Sequence, residues 1–548
     1  MNKPRKNELI VLDIESINNL GYGVAKYNGL VIFVSGAVTG DVINAKVIKV
    51  NSSYAVARCD SIIKKSDIRI QPACDNTVCG GCAYREISYD EELKLKGDFV
   101  KYAFSKVGLN VTVAPVESNG RTYAYRNKAQ YPVGKSENGY VIGFFAPKSH
   151  RITEAADCPL QPSIFSDITS TLRDCFEKFG ISAYDEESGL GLVRHIYLRL
   201  GEATGEISVV LVVTKEQVPH IEETADILTE KYPDIVSFSL NINSEKTNVI
   251  CSDRYVLLRG RNYIEDILCG KRLRITPASF YQVNHDMTQL LYSKAKELAE
   301  INENSVVADL YCGIGSIGIT CADNAGRLVG IEITQSAVEC ARENAALNSV
   351  KNTEFYCADA KDAKSLFSAA SREGVPFIPD TIFLDPPRKG CDAELINYIS
   401  NELRVQTIVY ISCNPDTLAR DVALFNKHGY KYSTAYPFDL FPRTGHIETV
   451  CLLSKLQAKQ HIEVEIKMDE LDLTAAESKA TYEEIKAYVL EHSGMKVSSL
   501  YIAQVKQKCG IIERENYNKP KSEDAKQPQC PPEKEKAIME ALKHFGMI

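Results

Sequence analysis

Tryptophan is absent from these 548 residues, so stacking on a nucleobase would fall to Tyr, Phe, His or Arg. Long apolar runs are also missing. None reaches the roughly 18 residues that a membrane-spanning helix needs, and the opening MNKPRKNELIVLDIES has no apolar core of signal-peptide type. The expected compartment is the cytosol, with no membrane association. Seventeen cysteines spread over this length are too sparse for a secreted disulfide scaffold. In a reducing compartment they are expected as thiols, metal ligands or nucleophiles. Positive charge is in deficit overall: the net charge of −8 argues by itself against a polyanionic partner. Charge is local, however. Residues 1–66 carry nine Lys/Arg against five Asp/Glu, a net of +4.

The patterning predicts a multidomain α/β chain in four segments. Residues 1–66 read as an OB-like β-barrel, with β-rich runs (LIVLDI, LVIFVS, DVINAKVIKV, SYAVARCDSII) punctuated by NNLGYG and VTGD. Small closed sheets of this kind often carry nucleic acid, and just as readily carry none. Residues 67–280 form a mixed α+β segment holding a cysteine cluster and a basic-aromatic stretch, RTYAYRNKAQYPVG. Residues 281–456 alternate short apolar runs (SVVADLY, RLVGIE, TIFLD, TIVYIS) with helical periods such as SAVECARENAALN. That alternation predicts a Rossmann-like parallel sheet with helices on both faces. Residues 457–548 read as a linker followed by three helices. The first opens on a Thr481-x-x-Glu484 capping box and stops at Gly494, the second ends at Gly510, and the third runs up to Gly546. A helix–turn–helix nucleic-acid binder and a packing appendage both fit this tail, whose 14 Lys/Arg and 16 Asp/Glu nearly balance.

In VVADLYCGIGSIGI a strand ends near Tyr311 and a Gly-rich turn (Gly313, Gly315, Gly318) opens a helix. This lets the backbone approach a ligand at the sheet's carboxyl edge. A dinucleotide would accept such a turn, and would also accept Glu332 at the end of the next strand. Asp359 after the third strand, and above all the stiff Asp385-Pro-Pro turn in FLDPPRKG, shift the expectation to S-adenosylmethionine.

YISCNPDTLARD places Cys413 at the end of a predicted strand, where Asn414-Pro415 cannot continue it. A cysteine there is more often a small buried hydrophobe, but α/β sheets place chemistry at this edge. A thiolate has a use beside a methyl donor. Its addition to C6 of a pyrimidine makes C5 nucleophilic, and a general base must then remove the C5 proton. Glu448 in RTGHIETVCLLS is a candidate base. On local pattern alone it reads as an exposed strand carboxylate, and His446 competes for the role.

Together DLYCGIGSIG, FLDPPRKG, SCNPDTLARD and FPRTGHIETV resemble the RNA uracil-5-methyltransferase family, over roughly residues 8–456. The resemblance implies Cys413 as nucleophile and Glu448 as proton acceptor. It implies Gln282 (SFYQVN), Tyr311, Glu332 and Asp385 as S-adenosylmethionine ligands. It also implies a TRAM-type RNA-binding barrel at GYGVAKYNGLVIFVSGAVTGD. The tail lies outside the family's common core.

ACDNTVCGGCAY spaces Cys74, Cys79 and Cys82 as C-x4-C-x2-C. A structural zinc and an iron–sulfur cluster both want four ligands, so the loop is one short. The family's ribosomal branch carries a 4Fe-4S cluster whose last ligand sits in a Cys-Pro motif. AADCPLQ matches, which implies Cys158 and a 23S rRNA substrate. Rival readings are an amino-methylating enzyme that needs no cysteine, a cytosine-5 RNA enzyme using the same thiolate, and an RNA-binding assembly factor without activity. No obligate protein partner is evident.

Overall fold

The computed structural model describes residues 3–137, 139–147, 149–247, 249–371, 376–455, 482–509, 530–545 and 547. Compactness divides the chain into two units, residues 1–459 and 460–548.

The first unit begins with a six-stranded sheet. Its two terminal strands, Leu9–Asp13 and Ser16–Ile17, are consecutive parts of one extended run, so the ladder returns on itself. Alternate side chains (Ile10, Leu12, Ile32, Val34, Ile43, Ala45, Val47, Ala55, Ala57) fill its interior, the period of two that a one-sided sheet requires. A second sheet of seven strands has Val193–Leu200 and Ile207–Val213 near its centre and Lys128–Ser136 beside them. Helices Ser163–Phe179 and Ile221–Lys231 contribute Phe165, Ile168, Leu172, Phe176, Ala225 and Leu228 to its core.

The third sheet has the order Thr353–Cys357, Arg327–Glu332, Val306–Leu310, Thr381–Leu384, Thr407–Ser412, Glu448–Lys455, Tyr430–Phe438. The first five strands are parallel. The last two run antiparallel to their neighbours, which corrects the expectation of a wholly parallel sheet. The loop 439–447 joins them as an antiparallel pair, and no crossover helix is needed. Both faces are covered. Ala308, Leu310, Ile382, Leu384, Ile408 and Tyr410 enter one core cluster, while Val307, Phe383, Val409 and Ile411 enter another.

Helix Tyr89–Lys106 packs Val100, Ala103 and Phe104 on this third sheet, although its sequence lies in the segment expected to form the central domain. Ser88 caps its N-terminus, and Asp90, Glu91 and Glu92 fill the first turn, where the helix dipole favours acids. The stretch after it hydrogen-bonds along the sheet's edge, Ala435 N–H donating to Thr112 O at 2.8 Å and Ala114 N–H to Ala435 O at 2.9 Å. From the same helix the fully buried Lys96 donates to Glu92 and Asp439, both at 2.7 Å, and to Phe441 O at 3.1 Å. Glu92 in turn accepts from Arg443 N–H at 2.7 Å.

In the second unit, helices Tyr482–Ser493, Ser499–Lys508 and Pro532–His544 enclose Ile485, Val489, Ile502, Val505, Ile538 and Leu542. Gly494 has a φ of 69° and ends the first helix as expected. Thr481 of the capping box, Gly510 and Gly546 lie outside the described residues. No helix among the described residues is long and apolar enough to cross a membrane.

Lys96→Met should cost about 3–5 kcal/mol of stability, because two buried carboxylates would lose their cation. Chemical denaturation of the full chain measures this. A loss below about 1 kcal/mol would show that the network is not what fixes the 439–443 segment.

Candidate active site

The third sheet changes direction at Val306–Leu310. From there the chain builds outward through Arg327–Glu332 and Thr353–Cys357, then returns to add Thr381–Leu384 on the other side. A crevice opens at such a switch point, outside the strands' carboxyl ends. Tyr311 stands at its lip with φ at 70°, a left-handed conformation that a bulky side chain seldom adopts and that marks stored strain. Its backbone is held by Ile331 O at 2.9 Å. The turn continues through Gly313, whose N–H donates to Glu332 Oε2 at 3.2 Å, while Glu332 Oε1 accepts from Thr334 N–H at 2.9 Å. Glu332 is therefore locked to the Gly-rich turn across two strands. Gly318 is tightly surrounded: a Cβ there would lie 2.9 Å from a Leu328 methyl and 3.0 Å from the Asp309 carboxylate, so those side chains would have to shift.

Asp309 is a further acidic residue at this edge of the sheet, beyond those that the motifs point to. It is fully buried, accepts from Gly318 N–H at 2.8 Å and leaves Oδ1 without a partner. Burial, with Asp385 and Glu332 adding repulsion, pushes it up to about 8. The signal was legible as the acidic residue two before Tyr311, inside an otherwise apolar strand. Gln282 is buried just ahead of helix His285–Ala299, its carbonyl accepting from Asn127 Nδ2 at 3.0 Å. Asp359 caps a short 3-10 turn, accepting from Lys361 N–H at 3.0 Å.

Asp385 follows Thr381–Leu384 directly, and burial raises it to about 7. The loop after it is fastened by the segment after Cys413. Asn414 Nδ2 and Thr417 Oγ1 donate to Arg388 O at 3.2 and 3.3 Å, and Arg420 donates to Lys389 O at 2.9 Å. Buried Asp421 accepts from Cys391 N–H at 2.8 Å and from Tyr410 Oη at 2.6 Å. Gly390, with φ at 76°, has no room for a Cβ, which would lie 2.5 Å from Asp421. The polar residues of SCNPDTLARD thus position the FLDPPRKG loop. That job was not visible in either motif alone.

Cys413 is half-buried immediately beyond the strand Thr407–Ser412. The antiparallel register ends at Ser412↔Thr449, so one further step sets Cys413 across from Glu448. Glu448 is 3% exposed, which corrects its reading as an exposed strand carboxylate. Burial and the charge of Asp385 push it up to about 8, with Arg388 opposing. Burial, then Glu448 and Asp385, push the Cys413 thiol up to about 11, with Arg388 again opposing. Arg388 is the cation that serves both groups, and the sequence reading had not singled it out. Desolvation and the Arg388, Arg126 and Lys96 charges hold His446 down to about 4. A base works best with a pKa near the operating pH, so Glu448 suits the role better than His446.

A model of the tRNA (uracil-5-)-methyltransferase family matches residues 200–456. An RNA methyltransferase from Clostridium tetani is 38% identical over 452 residues, covering 82% of this chain and 97% of that relative. One from Bacillus cereus is 37% identical over 455 residues, covering 82% and 98%. The chain belongs to the RNA (uracil-5-)-methyltransferase family. Among solved structures, the Pyrococcus abyssi tRNA (uracil-54, C5)-methyltransferase in complex with S-adenosyl-L-homocysteine is 26% identical. It aligns with a TM-score of 0.65 over 81% of this chain and 99% of its own.

This member of the uracil-5-methyltransferase family keeps a second cysteine group apart from Cys413. Cys74, Cys79, Cys82 and Cys158 line one cavity of about 550 Å³. Burial, then the neighbouring thiols, push Cys82 up to about 12, and burial likewise pushes Cys158 up to about 11. Gly80 is left-handed, and a Cβ there would lie 2.3 Å from Pro147, so the turn between Cys79 and Cys82 is closely fitted. Among the described residues no three His, Cys, Asp or Glu side chains are placed to hold a single metal ion.

Proposed function

We propose that this protein uses S-adenosylmethionine to methylate C5 of a uridine in 23S rRNA, through a covalent bond between Cys413 and C6. The observation that carries the mechanism is the placement of Cys413 one step past the last strand pair, opposite buried Glu448 and beside Asp385. Deprotonated Sγ adds to C6, and the C5=C6 electrons move into the C4 carbonyl as an enolate. C5 then attacks the sulfonium methyl, whose bond to sulfur breaks to leave a neutral thioether. Glu448 takes the C5 proton, the C5=C6 bond re-forms, and Sγ leaves as thiolate. Arg388, facing Cys413 and Glu448, favours the anionic form of each. Tyr311, Glu332, Asp385 and Gln282 are assigned to the methyl donor. The first three surround the crevice at the switch point, and Gln282 comes in from the segment held by Asn127.

The four-cysteine cavity supports a 4Fe-4S cluster held by Cys74, Cys79, Cys82 and Cys158. The reading rests on four thiols that line one cavity, the number of ligands that such a cluster would take. Its contribution would be to tie the 74–82 loop to the turn at Cys158, since methyl transfer moves no electron. The basic barrel at 1–66, assigned as a TRAM module, supplies RNA contact. The cysteine group favours ribosomal RNA. The likeness to the Pyrococcus enzyme favours a tRNA uridine as the second reading.

Glu448→Gln should accumulate a denaturation-resistant protein–RNA adduct on ordinary uridine RNA, because methylated C5 keeps its proton. The wild type should show one only with 5-fluorouridine RNA. The thiol at about 11 is mostly protonated at neutrality. Adduct formation should therefore quicken as pH rises from about 6 to about 9, each unit giving up to a tenfold gain in thiolate. Turnover by Cys413→Ala would sink this mechanism.

Cells lacking the protein should lose 5-methyluridine from 23S rRNA and keep it in tRNA when total RNA is mapped. The reverse pattern would establish the tRNA reading. Anaerobically purified protein should carry about four irons per chain, lost in Cys82→Ala. If iron removal left the fold and RNA affinity intact yet abolished methyl transfer, the positioning role of the cluster would be wrong.

A further inference from the structure

The basic-aromatic stretch RTYAYRNKAQYPVG has no part in the chemistry above, and the structure gives it a specific setting. Lys128 opens the strand Lys128–Ser136 and pairs directly across from Arg199 on Val193–Leu200. Both cations lie over the ring of Tyr197, Lys128 Nζ at 5.6 Å and Arg199 Cζ at 5.7 Å from its centroid. Arg199 is 1% exposed, and none of its three side-chain nitrogens meets a hydrogen-bond partner. The hydroxyl of Tyr197, itself buried, has the Arg199 guanidinium as its polar neighbour. Among the described residues neither cation pairs with a carboxylate. Two adjacent positive charges drawn into a sheet face without a counter-ion are costly. The cost shows in Lys128, where burial and then the Arg199 charge bring the amine down to about 8. Lys128 is the half-buried member and so the one open to a ligand, with Arg199 behind it adding to the field.

The position matters as much as the charge. Asn127, the residue before Lys128, donates its backbone N–H to Val283 O at 2.9 Å and its Nδ2 to Gln282 O at 3.0 Å. It also accepts from Leu200 N–H at 2.8 Å, next to Arg199. One asparagine thus joins the cation pair to the Gln282 segment of the candidate active site. Arg126, one residue further back, lies over the Phe441 ring at 5.8 Å, with its Nε buried and unpartnered. A line of three cations therefore leads from the 441–446 turn onto the central sheet.

We propose that Lys128, backed by Arg199 across the Tyr197 ring, binds a backbone phosphate of the RNA beside the target uridine. This rests on the reading that the substrate is RNA. A phosphodiester supplies the missing counter-charge without base specificity, so the contact sets register and leaves sequence choice to other groups. It also gives an acidic chain a local cationic foothold at the place where the polyanion must be held.

The test is salt-dependent binding of unmodified 23S rRNA transcript and of unmodified tRNA to the full-length protein. Lys128→Gln should weaken both RNAs roughly three- to tenfold near 0.1 M salt and flatten the slope of log Kd against log salt by about one. Lys128→Arg should restore both, and S-adenosylhomocysteine affinity should stay unchanged in either variant, which also reports an intact fold. An unchanged slope in Lys128→Gln overturns the proposal. So does a loss confined to S-adenosylhomocysteine, which would assign the cations to the carboxylate of the methyl donor. A wild type that binds neither RNA overturns this proposal together with the RNA reading, whereas wild-type binding with an unaltered variant overturns this proposal alone.

Discussion

The candidate site depends on one strand pairing. Glu448–Lys455 enters antiparallel against Thr407–Ser412, and that reversal brings a residue from the far end of the unit to the carboxyl edge of a parallel sheet. Parallel strands deliver their chemistry in one direction only, from loops that follow each strand. An antiparallel neighbour instead presents the residue at its beginning. Glu448 is that first residue and Cys413 follows the last residue of its partner, so the proposed base and nucleophile face each other at one strand end. The register leaves little freedom. A slip by one position would turn every side chain of Glu448–Lys455 to the opposite face, carrying Val450 and Cys451 out of their separate cores.

The segment that leads into this strand is held from outside the sheet. The 439–443 segment leading to Glu448 is held by Lys96, Glu92 and the backbone of Arg443, and the left-handed φ of 70° at Arg443 is strain that the network must sustain. Arg443 Nη1 reaches Ile87 O at 3.0 Å, and its guanidinium lies over Tyr89 and Tyr123. It also lines the cavity that the four cysteines share. A buried ion network is weak evidence for stability, but it is well suited to fixing one arrangement among several. Here it ties helix Tyr89–Lys106 to the approach to strand Glu448–Lys455, so the residues between the barrel and the second sheet bear on the geometry of Glu448.

Much of this is legible in the sequence. Strand-then-helix alternation gave the sheet, and the Gly-rich turn, Glu332 and the Asp385-Pro-Pro turn could be placed at strand ends because each motif is contiguous. What stayed hidden is what depends on distant pairing. Nothing near Glu448 in sequence says that it is buried, because burial comes from a partner strand over thirty residues away. The packing of helix Tyr89–Lys106 on the third sheet was equally unreadable, since its apolar face fits any hydrophobic surface. Asp309 was readable but overlooked, and Arg388 acquires its importance only when the loop is folded against Asn414 and Thr417.

The acids gathered at the crevice give a last constraint. Asp309, Asp385 and Glu448 are each raised, chiefly by burial, and each of the pairs Asp309–Asp385 and Asp385–Glu448 repels. Such a set is poorly suited to a dinucleotide, whose pyrophosphate would add negative charge. It is well suited to a sulfonium, whose single positive charge favours the ionised form of every carboxylate in range. In the proposed reaction, loss of the methyl would leave a neutral thioether, so the acids would regain their affinity for protons when the C5 proton has to be taken. On the proposed mechanism, a sulfonium bound beside Asp385 would favour the ionised form of Glu448, and that influence would be gone once the methyl had moved. The proposed base would thereby be coupled to the step that creates the need for it.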